Sequence, residues 1–286
     1  GVELDEKTGL TCTEMDIAMN KGKLKAYYIF GEDPAMTNAN VNFVKSGLKK
    51  LDFLVVQDIV PTETSEFADV ILPGSSHAEK DGTFTNGERR IQLVRKAIEP
   101  LGGKADWVII CMVAKALGIK NMNYSSPSEI WDELAGLAPM FAGVNHKKLE
   151  PDGIQWPCPD IDHPGTTIMY EEKFNTPNGK ALFNFREHMP SAEVPDDQYP
   201  LILTTGRRRQ HYNNGSMTRR SSTIYDKWPE EVLELSPFDA KRFNITYSER
   251  VLASSRRGEM EVKVHVTDRA QPGITFLAFH HRDALT

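Results

Sequence analysis

Residues 23–58, KLKAYYIFGEDPAMTNANVNFVKSGLKKLDFLVVQD, contain the pattern that decides the fold class. Residues 23–31 are rich in aromatic and β-branched side chains and end at a glycine, which predicts a buried strand leading into a loop. An Asp-Pro pair and a helix-periodic segment follow, with Thr37 or Asn38 as the candidate N-cap. Residues 52–58 predict a second short strand, so the stretch predicts one β-α-β unit.

The alternation of strands and helices continues along the chain. Residues 66–68 predict a short helix, residues 70–72 a third strand, and residues 88–97 a strand with one solvated face. Residues 106–117, DWVIICMVAKAL, predict an amphipathic helix that ends at Gly118. This order predicts an α/β fold: an open, mainly parallel sheet with helices on both faces.

The pattern changes after this helix. Residues 121–190 are rich in Pro, Gly and Asp and predict a long ordered crossover with one helix, capped by Ser126 or Ser128. Residues 193–199 predict a linker. Short strands follow from residue 200 onward, two of them joined by the turn RRGE at residues 256–259.

Short strands at this spacing predict a small closed β-barrel as a second domain. We therefore predict an α/β domain over residues 1–130, a crossover and linker over residues 131–195, and a C-terminal barrel domain over residues 196–286. A chain of 286 residues is long enough for two domains with separate cores.

Composition limits the class of function. The formal net charge of −6 argues against a protein that coats nucleic acid with a broad basic face, so any anion site is local. No apolar run approaches the roughly 20 residues of a membrane span, and the N-terminal residues lack a signal-peptide pattern. We expect a cytoplasmic protein without direct membrane insertion, or a periplasmic one if a twin-arginine signal precedes this sequence.

The sequence offers few metal-ligand patterns. The three cysteines, at positions 12, 111 and 158, are too far apart for a paired metal site, and Cys111 lies in an apolar run that predicts a buried thiol. His77, Glu79 and Asp81 lack the spacing of a zinc site and predict a solvated loop. His280 and His281 predict opposite faces of a strand. We predict no metal ligand in this chain.

Polar residues follow the predicted strands, where ligands bind in open α/β sheets. A helix N-terminus near Thr37 would offer amide donors to a phosphate. The carboxylate of Asp33 or Asp106 would accept from the N1 and exocyclic amine of a guanine. Solvated loops, a turn at Asp33-Pro34 and an N-cap at Asp106 explain the same residues equally well.

A second candidate site is residues 204–221, TTGRRRQHYNNGSMTRRS, which hold five arginines in an acidic chain. Gly206 allows the backbone to approach a ligand closely, and residues 207–209 follow at the end of a predicted strand, where guanidinium groups reach phosphate oxygens. The glycines and small hydroxyl residues favour a compact polyanionic small molecule. The alternatives are a solvated basic loop and a nucleic-acid patch.

Four stretches, at residues 31–40, 55–92, 204–221 and 267–281, resemble a known family in colinear order. The sequence is similar to the C-terminal half of the molybdopterin oxidoreductases of the dimethyl sulfoxide reductase family. Within that family it most resembles the catalytic (alpha) subunits of molybdenum- or tungsten-dependent formate dehydrogenases. The resemblance implies a metal held between two molybdopterin guanine dinucleotides, and oxidation of formate to carbon dioxide by the full-length protein.

The resemblance also implies roles for particular residues. The positions that match the guanosine-binding motifs are Gly31, Asp33 and Thr37, with Gln57, Asp58 and Thr62 near them and Asp106 helping to read the guanine. The positions that match the pterin and diphosphate region are Thr205, Gly206, Arg207, His211, Tyr212, Asn213, Ser216, Met217 and Thr218. Arg207 would neutralise pyrophosphate charge.

The sequence departs from the family in what it lacks. Members carry an N-terminal cysteine cluster for a [4Fe-4S] centre and a cysteine or selenocysteine metal ligand, both upstream of the region matched here. We therefore expect a fragment without catalytic residues, inactive alone, whose parent passes electrons to iron–sulfur or other electron-transfer subunits. The alternatives are a nitrate reductase or other oxyanion reductase of the same family, and a non-catalytic scaffold.

Overall fold

A computed structural model describes residues 6–280 of the chain. The chain divides into two compact units. The first contains the residues up to Gln57, Pro61–Ile71 and the residues from Met189 onward; the second contains Asp58–Val60 and Leu72–His188.

The N-terminal part of the first unit forms the predicted β-α-β unit. Its elements, with the strand that follows, are α1 (Cys12–Asn20), β1 (Ala26–Phe30), α2 (Pro34–Thr37), α3 (Val41–Leu48), β2 (Phe53–Asp58) and β3 (Val70–Pro73). The strand order is β1-β2-β3, and β1 pairs with β2 in parallel with Tyr28 opposite Val55. The prediction of a parallel strand pair is confirmed.

One face of this sheet is covered by helices. The buried cluster on that face consists of Met19, Ile29, Ala35, Val44, Leu48, Leu54 and Val56, from α1 to α3 and the first two strands. On the opposite face Tyr28, Phe30 and Phe53 are 38–50% exposed. The sequence predicted helices on both faces of the sheet. Among the described residues, helices cover one face and not the other.

The predicted helix start was wrong by a few residues. The N-cap of α3 is Asn40, whose side chain accepts from the backbone N of Phe43 at 3.3 Å, rather than Thr37 or Asn38. Pro34 begins the short helix α2, and Thr37 is its last residue. Asn40 adopts φ +55°, a left-handed conformation that asparagine tolerates better than most residues.

The second unit contains a small antiparallel sheet and two helices. Its elements are β4 (Gly82–Thr85), β5 (Arg90–Val94), α4 (Asp106–Ala116), α5 (Pro127–Leu137) and β6 (Ile154–Gln155). β5 is the strand predicted at residues 88–97, but it pairs antiparallel with β4 and β6, so it does not extend the parallel sheet. Ser126 is the N-cap of α5 and is one of the two N-cap candidates that the sequence predicted.

The core of the second unit packs around α5 and β5. Its buried residues are Ile91, Trp131, Ala135, Val144, Leu149, Ile154 and Cys158. The prediction that Cys111 is buried was wrong, because that side chain is half-buried and Cys158 is the fully buried thiol. α4 is hydrophobic along much of its surface, so the apolar run alone did not identify its inward face.

The C-terminal part of the first unit is a mixed sheet. Its elements are β7 (Ile202–Gly206), α6 (Ser222–Tyr225), β8 (Val232–Leu235), α7 (Pro237–Arg242), β9 (Arg250–Ser254), β10 (Glu259–Val266) and β11 (Ile274–Ala278). The strand order is β7-β11-β8-β10-β9. β9 and β10 form the predicted hairpin, and the pairs β7–β11 and β8–β10 are parallel.

The mixed α/β class is confirmed, whereas a closed barrel is not. β7 and β9 stand at opposite ends of the strand order, and no strand pairing within residues 6–280 joins them. Among the same residues, no helix has the length and apolar character to cross a membrane.

Candidate functional site

The loop after β1 is held by the backbone of β2. Gly31 donates its N–H to the carbonyl of Gln57 at 2.9 Å and adopts φ +62°. A Cβ at this position would meet nothing within 4 Å, so the backbone conformation, rather than space, favours glycine. The ends of the two parallel strands are therefore tied together beside Asp33.

Asp33 is buried and orders this loop. Its Oδ1 accepts from the backbone N of Thr64 at 2.9 Å and from the Thr64 hydroxyl at 2.6 Å. Thr64 Oγ1 accepts in turn from the backbone N of Ala35 at 3.0 Å. No hydrogen bond from residues 6–280 reaches Asp33 Oδ2. One carboxylate oxygen thus maintains the fold, and the other keeps its capacity as an acceptor.

Three further predicted residues shape the same loops. Gln57 is fully buried, and its side-chain oxygen accepts from the Tyr28 hydroxyl. Thr62 Oγ1 accepts from the backbone N of Ser65 at 3.2 Å, and its carbonyl accepts from the Ser65 hydroxyl at 2.6 Å. Thr37 ends the four-residue helix α2, so the predicted helix N-terminus for a phosphate is absent at this position. These contacts position the loops around Asp33.

Asp58 and Asp106 belong to the second unit. Asp58 Oδ1 accepts from the backbone N of Ile59 at 2.6 Å, and its carbonyl accepts from Gly74 at 2.9 Å. Asp106 is the first residue of α4 rather than its N-cap, which is Ala105. A Cβ at Gly74 would lie 2.8 Å from Asp106 Oδ1, so glycine is needed for this close approach.

Asp106 forms an ion pair with Lys80 that the sequence did not reveal. Lys80 Nζ also donates to the Ser75 carbonyl at 2.9 Å, while the buried Ser75 hydroxyl has no hydrogen-bond partner among residues 6–280. Beside this pair lies a cavity of about 340 Å³. Its lining includes the aromatic rings of Trp107 and Trp131. An ion pair next to flat apolar rings suits a planar polar group.

The arginine stretch begins where β7 ends. Thr205 and Gly206 pair with Leu277 and Ala278 of β11. The exposed Arg207 donates through Nε and Nη2 to Asn213 Oδ1, at 3.2 and 2.8 Å, and its guanidinium lies 5.2 Å from the Phe279 ring centroid. These contacts therefore fix the direction of the Arg207 guanidinium, which stays exposed to solvent. Its other N–H groups can donate to an anion.

Arg208 is instead half-buried and pairs with two carboxylates. Its Nε lies 2.9 Å from Glu231 Oε2, and its Nη1 lies 3.1 Å from Glu234 Oε1. Both carboxylates are buried. Burial raises the pKa of Glu231, and the Arg208 guanidinium opposes this rise. Adjacent arginines thus take different roles: Arg207 faces solvent, and Arg208 neutralises two buried carboxylates.

The middle of the stretch is a compact turn. The ring nitrogens of the buried His211 lie 3.1 Å from Thr218 Oγ1 and 3.3 Å from the Trp228 carbonyl. Thr218 Oγ1 also accepts from the backbone N of Tyr212 at 3.2 Å. Asn213 has φ +50°, and the side chains of Tyr212 and Met217 are 79% and 47% exposed. Buried polar contacts hold the turn, and exposed side chains surround it.

The two candidate stretches meet within the first unit. Ser216 Oγ lies 3.8 Å from Met36 Sδ, and Arg220 Nη2 donates to the Pro61 carbonyl. Met36 is three residues from Asp33, and Pro61 precedes Thr62. The structure therefore brings the arginine stretch beside the loops that carry Asp33 and Thr62, through contacts between residues that are 180 and 159 positions apart in the sequence.

Two family models match this chain: Molybdopterin oxidoreductase over residues 2–116 and Molydopterin dinucleotide binding domain over residues 201–285. The chain belongs to the molybdopterin oxidoreductase family. The second match includes the whole arginine stretch, and the first includes Asp33 and Asp106. The resemblance predicted from the sequence is confirmed.

Relatives extend the match across the whole chain. The alpha subunit of F420-dependent formate dehydrogenase 2 from Methanococcus maripaludis is 43% identical over 99% of this chain and 42% of the relative. The alpha subunit of the F420-dependent enzyme from Methanocaldococcus jannaschii is 44% identical, with the same coverage. A putative formate dehydrogenase of Staphylococcus aureus is 42% identical over 95% of this chain and 27% of the relative.

A solved structure with the same fold is acetylene hydratase from Pelobacter acetylenicus. It matches with a TM-score of 0.72 and 19% identity, over 94% of this chain and 39% of that protein. The chain spans about two fifths, or less, of the length of these relatives.

Proposed function

We propose that this chain is the cofactor-binding C-terminal portion of a formate dehydrogenase alpha subunit, which as a full-length protein oxidises formate to carbon dioxide. Relatives that carry this name, at 40–44% identity over nearly all of the chain, support the substrate. The exposed Arg207 guanidinium, oriented by Asn213 beside a strand end, is the observation that supports an anionic cofactor.

The residues present fit a diphosphate-bearing group. Gly206, the last residue of β7, lies so close to the Phe276 ring that a Cβ would be 2.9 Å from it, and Gly215 has φ +79°, a conformation that favours glycine. Arg207 supplies a cation that Asn213 and the Phe279 ring hold in place. We assign this stretch to a molybdopterin guanine dinucleotide. When bound with its metal, the cofactor supplies the two-electron chemistry.

The chain's own residues position this group. Arg207 neutralises diphosphate charge, and the turn around His211 holds the neighbouring backbone. Asp33 would hold a guanine through its second carboxylate oxygen, while Gly31, Gln57 and Thr62 keep the loop around it in place. Asp106, in the second unit, helps to read a guanine, with Lys80 setting its orientation.

Several further features belong to this proposal. They are two dinucleotides per metal, molybdenum or tungsten as that metal, a [4Fe-4S] centre in the upstream part of the parent, electron-transfer subunits as partners and a cytoplasmic location. The domain bounds at residues 130 and 195 are part of it, as is a double-psi-like barrel for residues 196–286. The barrel would require pairing beyond the five strands described.

Arg207 and Asp33 provide the test of the cofactor site. In the full-length protein, Arg207→Ala removes a charge-assisted hydrogen bond of about 1.5–3 kcal/mol, so retained molybdopterin should fall roughly tenfold or more. Asp33→Asn keeps the shape of the side chain and exchanges one acceptor for a donor, so it should also lower retention.

The measurement is bound pterin per protein after gel filtration, read as fluorescence of the oxidised pterin. The control is Arg242→Ala, an exposed arginine stacked on Phe243 in the same part of the chain. Full pterin content in both site variants would show that the assignment is wrong.

Substrate is tested separately with the full-length protein. Formate oxidation is expected, with reduction of a viologen dye as the readout. Nitrate reduction without formate oxidation would favour the oxyanion reductase instead, and a full-length protein without bound metal would favour the scaffold.

A further inference from the structure

His280 connects two points of the arginine stretch. It is fully buried just beyond β11, and its Nε2 lies 2.6 Å from the backbone N of Arg208. Its Nδ1 lies 2.6 Å from the backbone O of Asn213. An amide N–H only donates and a carbonyl only accepts, so Nε2 must be unprotonated and Nδ1 must carry the proton. Only the neutral Nδ1–H tautomer satisfies both contacts.

The backbone of the same residue reaches the far side of the stretch. The carbonyl of His280 accepts from Arg219 Nη1 at 3.3 Å. A Cβ at Gly215 would lie 3.1 Å from that carbonyl oxygen, so the turn packs closely against it. Residue 280 therefore touches the stretch at four positions between residues 208 and 219.

The groups that face the imidazole are cationic or able to become so. They are Arg207, Arg208 and His211, whose ring centroid is 5.2 Å away. Burial lowers the pKa of His280, the Asn213 carbonyl opposes this, and the charges of His211 and the arginines lower it further. The neutral form is thus favoured near neutral pH.

We propose that His280 is a positioning residue for the anion-binding stretch, holding Arg208 and Asn213 at a fixed separation and thereby orienting the Arg207 guanidinium that Asn213 binds. The identity of the anion rests on the proposed function; the positioning is a property of the chain itself. Protonation of Nε2 removes the acceptor for Arg208 and adds a cation among arginines, so the geometry of the stretch depends on a neutral imidazole.

Three substitutions separate the two hydrogen bonds. His280→Gln places an acceptor near the position of Nε2, and His280→Asn places a donor near the position of Nδ1. His280→Phe keeps a buried ring and loses both contacts. The matched control is His265→Phe in β10, whose ring packs against Tyr247 at 5.4 Å. All are made in the full-length protein, with circular dichroism as the check on folding.

The first readout is hydrogen exchange of residues 207–219 in cofactor-free protein. We expect His280→Phe to speed exchange there at least tenfold, the glutamine and asparagine variants to fall between it and wild type, and the control to match wild type. Wild-type exchange with His280→Phe would overturn the proposal. If His280→Phe fails to fold, unchanged exchange in both amide variants would overturn it.

The second readout is pterin retention at about pH 7.5 and about pH 5.0, the lower value lying well below the ordinary histidine pKa because burial and the neighbouring cations lower the pKa of His280. Wild type should lose at least threefold more cofactor at the lower pH, and His280→Gln, which cannot titrate, should show a flat profile. Equal pH dependence in both would contradict the proposal. If hydrogen exchange is faster in His280→Phe but even the wild-type protein binds no pterin, the positioning role of His280 stands and the proposed cofactor is rejected.

Discussion

At the scale of single residues, the neighbours Arg207 and Arg208 differ because of groups far away in the sequence. Glu231 and Glu234, more than 20 positions downstream, draw Arg208 inward, while Asn213 holds Arg207 at the surface. A run of arginines therefore contains one structural cation and one that is exposed to solvent. Phosphate affinity and protein stability should respond to different members of the run.

Replacing Arg208 with methionine should destabilise the chain. The change leaves the buried Glu231 without its cation, whereas Glu234 keeps its ion pair with Arg269, and an unpaired buried carboxylate typically costs about 3–5 kcal/mol. Because burial already raises the pKa of Glu231, the destabilisation should shrink as pH falls from 7 towards the carboxyl range, where the unpaired group takes up a proton.

The measurement for this variant is the free energy of unfolding in urea at several pH values. Arg250→Met is the matched control, because Arg250 pairs with Glu230 at the surface and should cost at most about 1 kcal/mol. Equal losses in the two variants, or a loss for Arg208→Met that grows as pH falls, would contradict the assignment.

At the scale of secondary-structure elements, the sequence pattern located most strands and helices because their periodicity is local. β1, β2, α4 and the five C-terminal strands lie where the apolar runs predicted them. Strand pairing joins residues that are far apart in the sequence, and a local pattern does not report it. The alternation of strands and helices therefore predicted β5 in the parallel sheet, although β5 pairs with β4 and β6. The sequence did not identify the N-cap of α3, because Asn38 and Asn40 are both residues that favour this position.

The candidate site was predictable to the extent that its residues are adjacent in sequence. The arginine stretch and Asp33 were found from strand ends and glycines. The Lys80–Asp106 pair and the contacts of His280 join residues 26 to 72 positions apart, and no periodicity reports such contacts. The signal for His280 was its place at the end of a predicted strand, where side chains meet loops.

Helix α5 illustrates how one side chain docks an element. Trp131 donates its indole N–H to the Val144 carbonyl at 2.8 Å and packs 5.9 Å from the Phe141 ring. Trp131→Phe leaves that buried carbonyl unpaired, so we expect a loss of about 1–3 kcal/mol in unfolding free energy. Trp228→Phe, at a 40% exposed position, should change it by less than about 0.5 kcal/mol. A smaller loss for Trp131 than for Trp228 would contradict this role.

At the scale of the whole molecule, the chain forms two compact units, and a segment without helix or strand precedes the C-terminal sheet. Residues 177–192 contain no helix or strand, and Leu182, Phe183 and Phe185 are 76–93% exposed. The following residues are anchored, because Glu193 binds Arg256 and Arg257, and Arg256 lies over the Tyr199 ring. The predicted linker at residues 193–199 is thus fastened to the β9–β10 turn, and the unsupported part lies just before it.

Limited proteolysis of the 286-residue chain should follow this difference. Trypsin needs an extended, accessible backbone, which Arg186 offers, whereas the backbone N and O of Lys180 are hydrogen-bonded in a turn, Lys115 lies in α4 and Arg256 is held by two carboxylates. We expect the first cut after Arg186, identified by mass spectrometry of the early fragments. Arg186→Gln should remove this cut and leave unfolding unchanged, because its side chain is exposed. Early cleavage inside α4 or the β9–β10 hairpin would instead mean that these elements open more readily than the segment before Glu193.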